Sequence, residues 1–115
     1  MRRSALAALA LVAVLAAAGA RADEPDPDLV LAEAKPYRDA LELCAARAAK
    51  ALAGGTLPPE RAARTALARC RSREARLRTF LIDQLGEASA DRILEALRTT
   101  YLDSLVDVVR ELRSR

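Results

Sequence analysis

The two cysteines, Cys44 and Cys70, constrain most strongly what this chain of 115 residues can fold into. Each lies in a segment whose apolar residues recur at helical spacing, and Gly54-Gly55 separates the two segments. At about 1.5 Å per helical residue, the thiols lie roughly 15 and 18 Å from the same turn. Two antiparallel helices therefore bring them level, and we expect a disulfide worth about 3–4 kcal/mol. The alternative, a redox-active pair, lacks the close Cys-x-x-Cys spacing typical of such sites.

Apolar periodicity predicts an all-α fold, an antiparallel up-down helical bundle of three main helices plus a short N-terminal helix. We expect Asp26 to cap the short helix and Pro36 to end it. Thr56 is expected to cap the third helix, which Gly86 ends, and Ser89 the last. The predicted helices cover residues 29–34, 36–53, about 58–85 and about 90–112. No segment reads as a strand.

The first 22 residues have the layout of a secretory signal peptide. A basic start at Arg2-Arg3 precedes an apolar run over residues 5–18, and Ala20 and Ala22 are small residues at a cleavage site. We expect cleavage near Ala22 and a periplasmic or secreted protein; an uncleaved anchor is the alternative. Residues 23–28 are acidic and proline-rich and predict a disordered lead-in, followed by a single helical domain over residues 29–115.

Charge and chemistry limit the possible functions. The three basic residues that leave with the signal account for the net charge of +3, so the mature chain is neutral and its composition does not indicate nucleic-acid binding. The chain has no histidine, which removes the usual catalytic base and the commonest metal ligand. We expect no cofactor, no metal and no catalytic residue. Glu74, on an apolar helix face, is the one candidate for a carboxylate-dependent enzyme; the alternative is an ion pair with an arginine, with Arg78 in reach.

Arginines crowd the third predicted helix, where residues 56–78 carry a net charge of +5. They flank its apolar stripe on two sides: Arg64, Arg71 and Arg78 on one, and Arg69, Arg73 and Arg76 on the other. One interpretation is a patch for an anionic partner such as phospholipid, lipopolysaccharide or an acidic protein. The alternative is a solvated helix whose charges are balanced by acids elsewhere in the chain.

The last helix has a second apolar strip, Leu102, Val106 and Val109, beside its main stripe. One helix of a small bundle does not bury two broad faces in the same core. Either the short N-terminal helix covers the strip, or a second copy or protein partner does, or these are scattered exposed apolar residues.

The signal, the segments LELC and LARC and the leucine-rich last helix resemble those of uncharacterised small secreted all-helical proteobacterial proteins with two widely spaced cysteines. That resemblance implies no catalytic residues. We expect a non-enzymatic helical protein that binds a protein or an anionic envelope component. The alternatives are a chaperone-like or envelope-stress protein that binds unfolded clients and, less favoured, the carboxylate-dependent enzyme.

Overall fold

The structure, a computed structural model, describes residues 26–115 and is all-α over that range, without a strand. Its helices are α1 (Pro27–Glu33), α2 (Lys35–Ala53), α3 (Pro59–Ala68), α4 (Arg71–Leu85) and α5 (Glu87–Ser114). The expected all-α class is confirmed for these residues. The signal peptide expected over residues 1–22 lies outside them.

Helix α1 begins where Asp26 supplies a cap. The Asp26 carboxylate accepts a hydrogen bond from the backbone N–H of Asp28 at 3.0 Å, and Pro27 occupies the first turn. Because Pro27 and Asp28 are already helical, the acidic lead-in ends earlier than expected; residues 23–25 lie outside the described range. The break after α1 falls at Ala34, and Pro36 lies in the first turn of α2, where a missing N–H costs nothing.

The third predicted helix is two helices in the structure, α3 and α4, which is the main correction to the expected fold. The chain leaves helical geometry at Cys70, whose φ is −107° and ψ 26°. Neither glycine nor proline marks this break. Packing explains it, since α3 packs against α2 and α5, whereas α4 packs against α1, α2 and α5. Cys70 therefore lies at a helix junction, and not in the middle of a helix as expected.

Two of the expected helix caps are also wrong. Helix α3 follows Pro58, which makes no side-chain cap, so Thr56 does not have that role. Helices α4 and α5 are joined by Gly86 alone, and Ser89 lies inside the first turns of α5. Gly86 has φ 84° and ψ 165°, a conformation that is essentially restricted to glycine. A one-residue connection thus replaces the predicted loop.

The core combines close alanine packing with a few larger side chains. Cys44 and Cys70 form the expected disulfide, with 6.1 Å between their Cα atoms. Near it, α2 and α3 approach each other through buried alanines, and the largest fully buried side chains come from α2, α4 and α5. The alanines are Ala45, Ala49, Ala62, Ala63 and Ala66, and the larger side chains are Leu41, Leu77, Leu81 and Val109.

The last two turns of α5 hold the segment between α2 and α3. Arg113 donates hydrogen bonds to the carbonyl oxygens of Ala53 at 3.2 Å and Gly55 at 3.1 Å. Arg110 pairs with Glu60 of α3 at 2.8 Å. The α2 C-terminus leaves carbonyl groups without helical partners, and a cation there satisfies them and complements the helix dipole.

Candidate functional site

A surface groove between α3, the start of α4 and α5 brings together arginines that are distant in sequence. It has a volume of about 400 Å³. We call it the arginine groove and define it by its lining residues, Arg64, Leu67, Ala68, Arg71, Glu74, Arg98 and Leu102. It adjoins a second depression of about 450 Å³ that shares Arg71, Glu74 and Arg98 and extends to Arg78 and Asp91.

Glu74 is an acid within this basic groove. Its side chain is only 18% exposed, and it accepts a hydrogen bond from the guanidinium of Arg98 on α5. The sequence predicted an arginine partner and suggested Arg78. The structure confirms that Glu74 pairs with an arginine, but the partner is Arg98 of the neighbouring helix α5 and not Arg78. Periodicity within α4 carries no information on which α5 residue faces Glu74.

Arg78 belongs to a different ion-pair cluster. Its Nε lies 3.1 Å from Asp91 Oδ1, and its terminal nitrogen lies 3.3 Å from Glu87 Oε1. The hydrogen bond and the charge of Asp91, with a smaller effect of Glu87, raise the pKa of Arg78. Its positive charge is therefore balanced locally. Arg78 shares the second depression with Arg71, but it is not a lining residue of the arginine groove, unlike Arg64 and Arg71, with which the sequence grouped it.

Arg64 and Arg71 are the uncompensated cations of the groove. Both are exposed, and neither forms an ion pair among residues 26–115. Arg69, Arg73 and Arg76, predicted on the other flank, are likewise exposed and lack an ion pair in that part of the chain. They are not among the groove's lining residues. Of the six predicted arginines, only Arg64 and Arg71 line the arginine groove, and the structure adds Arg98.

A shallow depression beside Arg76 contains a pair of aromatic rings. Tyr37 of α2 stacks on Phe80 of α4 with their centroids 5.0 Å apart. Tyr37 is 38% exposed, and its ring covers part of the α2–α4 contact. Offset stacking of this kind stabilises a helix pair by about 0.5–1.5 kcal/mol beyond the buried area.

The strip of Leu102, Val106 and Val109 is largely occupied within the chain. Val109 is fully buried, and Leu102 and Val106 are half-buried against the core. Leu102 lines the arginine groove with Leu67 of α3. Of the three alternatives for this strip, the contacts do not favour cover by the N-terminal helix, because α1 packs against α2 and α4, whereas α3 packs against α5. Val109 is accordingly unavailable to a partner.

Tyr101 has the most perturbed acid–base equilibrium of the described residues. Its hydroxyl is buried close to the Glu42 carboxylate of α2, but the two do not form a hydrogen bond of ordinary geometry. Burial first, and then the negative charge of Glu42, raises the pKa of Tyr101. The sequence placed Tyr101 in the apolar stripe but contained no sign that its hydroxyl would be buried beside a carboxylate.

The described residues contain no group of three or more His, Cys, Asp or Glu side chains arranged to hold a metal ion. Within residues 26–115, none of the helices combines the length and hydrophobicity of a membrane-spanning segment. Comparisons of the chain with protein-family models, curated proteins and solved structures found no match.

Proposed function

We propose that this is a small exported binding protein without enzymatic activity, which binds an anionic partner through the arginine groove. The observation that carries the proposal is the convergence of Arg64, Arg71 and Arg98 on one depression, two of them without an ion pair. An arginine cluster whose charges are not internally balanced attracts anions, and its guanidinium groups present paired donors to phosphate or carboxylate oxygens.

The geometry of Glu74 supports a binding role over a catalytic one. A carboxylate that acts as an acid or base needs access to a substrate proton. Glu74 instead forms an ion pair with Arg98, and this pair fixes the position of the Arg98 guanidinium beside the groove. We therefore assign Glu74 to positioning Arg98.

The proposed location is the periplasm or the extracellular space. Two features support it: the signal-like layout of the first 22 residues, and a disulfide, which persists in oxidising compartments. The finer architecture that we propose is the antiparallel up-down arrangement, in which the α2 and α4 directions are opposed. N-terminal sequencing of the protein recovered from a periplasmic fraction should give Asp23 as the first residue; a start at Met1 would contradict export with cleavage.

The burial of Val109 weakens the two proposals that relied on the strip of α5. A chaperone-like surface for unfolded clients, or a homodimer contact, needs accessible apolar residues in a continuous patch. Val109 is fully buried and Leu102 borders the arginine groove, so the strip does not form such a patch. Anion binding is therefore the function that the surface supports best.

Vesicle sedimentation tests the proposal. We expect the oxidised protein to cosediment with vesicles of an anionic phospholipid and to remain in solution with phosphatidylcholine vesicles. The double variant Arg64→Glu/Arg71→Glu should lose this binding. Since both side chains are exposed and unpaired, their reversal breaks no ion pair of the fold.

The matched control is Arg69→Glu/Arg73→Glu, which changes the net charge by the same amount at exposed positions outside the groove. We expect it to retain most of the binding. Equal loss in both double variants would show that net charge, and not the groove, attracts the anion. Unchanged binding in the groove variant would contradict the proposed function.

A further inference from the structure

The arginine groove has two chemically different parts, and together they narrow the class of ligand. Three of its lining residues, Arg64, Arg71 and Arg98, carry guanidinium groups. The apolar residues are Leu67 and Ala68 from α3 and Leu102 from α5. A purely ionic ligand would use only the first part, and a purely apolar ligand only the second.

The charge of the groove selects the head group. Glu74 balances Arg98, so the two remaining positive charges belong to Arg64 and Arg71. A phosphate monoester carries a charge of about −1.5 to −2 at neutral pH, whereas a carboxylate carries only one negative charge. The three terminal oxygens of the phosphate monoester can also accept several hydrogen bonds at once, one or more from each arginine that lines the groove. Arg98 keeps further N–H donors beyond the one that Glu74 accepts.

The apolar lining residues of the groove favour a ligand with a hydrocarbon chain. Leu67 is buried at 5% exposure, and Leu102 is half-buried, so both present only part of their surface. Ala68 is exposed and small, which leaves room between α3 and α5. An alkyl chain laid on these residues removes apolar surface of both partners from water.

We propose that the ligand of the arginine groove is a single amphiphile with a phosphate monoester head and a hydrocarbon chain. The phosphate lies against Arg64, Arg71 and Arg98, and the chain contacts Leu67, Ala68 and Leu102. This inference rests on the proposed function and adds the class of ligand to it.

Isothermal titration with soluble probes tests the inference. Dodecyl phosphate below its micellar concentration should bind in a one-to-one complex at least about tenfold more tightly than inorganic phosphate, the gain expected from burying about two methylene groups. It should also bind at least about tenfold more tightly than uncharged dodecyl maltoside, which lacks the phosphate.

A variant in the apolar part separates chain binding from head-group binding. Ala68→Glu puts a charged side chain on the exposed surface of α3 within the groove, and it should reduce dodecyl phosphate binding about tenfold or more. Ala96→Glu is the matched control, since Ala96 is exposed on α5 and is not a lining residue. Circular dichroism melts of both variants verify that they fold. Leu102→Ser, which shortens a half-buried side chain, should weaken the same probe without affecting inorganic phosphate.

The outcomes distinguish this inference from the function on which it rests. Equal affinity for dodecyl phosphate and inorganic phosphate, or tighter binding of dodecanoate or dodecyl maltoside, would overturn the amphiphile assignment. Arginine-dependent sedimentation with anionic vesicles would then still support the proposed function. If neither the vesicles nor any anionic probe depended on Arg64 and Arg71, the proposed function itself would fail.

Discussion

At the scale of single residues, the ion pair of Glu74 and Arg98 joins α4 to α5 at a partly buried position. The Glu74 side chain is 18% exposed, so its carboxylate has lost much of its contact with water. The Arg98 side chain is 52% exposed, so its guanidinium keeps more of its contact with water. This asymmetry means that loss of the arginine is more harmful than loss of the acid, because it leaves a shielded charge alone.

We therefore predict that Arg98→Ala lowers the free energy of unfolding by about 1–2 kcal/mol. Glu74→Met, which replaces the carboxylate by an apolar side chain of similar length, should have a smaller effect or none. Urea unfolding followed by circular dichroism measures both. Arg92→Ala, at an exposed arginine of the same helix, is the control and should be nearly neutral. Equal destabilisation by the Arg98 and Arg92 variants would contradict the role given to the pair.

Tyr101 is a residue whose burial links stability to pH. Its pKa is raised in the folded chain, so folding favours the protonated phenol. The resulting stabilisation is fully present below the ordinary tyrosine pKa of about 10 and is lost as the pH rises above it. The unfolded state then releases a proton that the folded state still holds.

We predict that the free energy of unfolding falls above about pH 10 more steeply in the wild type than in Tyr101→Phe. Near neutral pH the same variant should be nearly neutral, since the hydroxyl that it removes is buried and makes no hydrogen bond of ordinary geometry. Tyr37→Phe is the control and should keep the steep decline. A Tyr101→Phe variant with an unchanged pH dependence would contradict the assignment.

At the scale of elements, the sequence predicted the helices better than the points at which they begin and end. Apolar spacing and the glycine pair located α2, and Asp26 was identified as the cap of α1. The break at Cys70 has no local signal, because it depends on how α3 and α4 pack against different neighbours. The Arg98 partner of Glu74 was missed for the same reason, as it depends on the rotation of α5 about its axis.

Gly86 is the element boundary with the strictest conformational requirement. At a φ of 84° and a ψ of 165°, the Cβ of any other residue would clash with that residue's own backbone. A Cβ at this position would meet no other atom within 4 Å, so the strain is confined to the backbone. We predict that Gly86→Ala lowers the free energy of unfolding by about 1–3 kcal/mol through backbone strain alone. Thermal or urea unfolding measures it.

Gly54→Ala supplies the contrast to Gly86→Ala. Gly54 has helical angles, φ −72° and ψ −11°, and a Cβ would lie 3.6 Å from the Ala51 carbonyl oxygen, an ordinary contact. This substitution should be neutral or stabilise by about 0.4–1 kcal/mol, because it restricts the unfolded chain. If the two glycines responded alike, the special conformation of Gly86 would not limit stability.

At the scale of the whole molecule, the Cys44–Cys70 bridge compensates for a core rich in alanine. Alanine buries little area, so α2 and α3 gain close contact but modest hydrophobic stabilisation. A cross-link over a sequence separation of 26 reduces the freedom of the unfolded chain. The pairing could be predicted from the sequence, because the chain has two cysteines and they lie at similar distances along the chain from a shared turn.

We predict that reduction of the disulfide lowers the free energy of unfolding by about 3–4 kcal/mol. Urea unfolding with and without reductant measures this difference. The double variant Cys44→Ala/Cys70→Ala should be destabilised by a similar amount and should not respond to reductant. Identical unfolding of the oxidised and reduced wild type would show that packing alone maintains the fold.

Helix α4, which forms one wall of the arginine groove, is restrained at both of its ends. The Cys44–Cys70 disulfide links the residue directly before α4 to α2, and Gly86 alone connects the last residue of α4 to α5. These two restraints limit backbone rearrangement of α4, so binding of the proposed anionic ligand would need mainly side-chain rotation. Association should consequently be fast and incur only a small ordering penalty, as in a preorganised receptor.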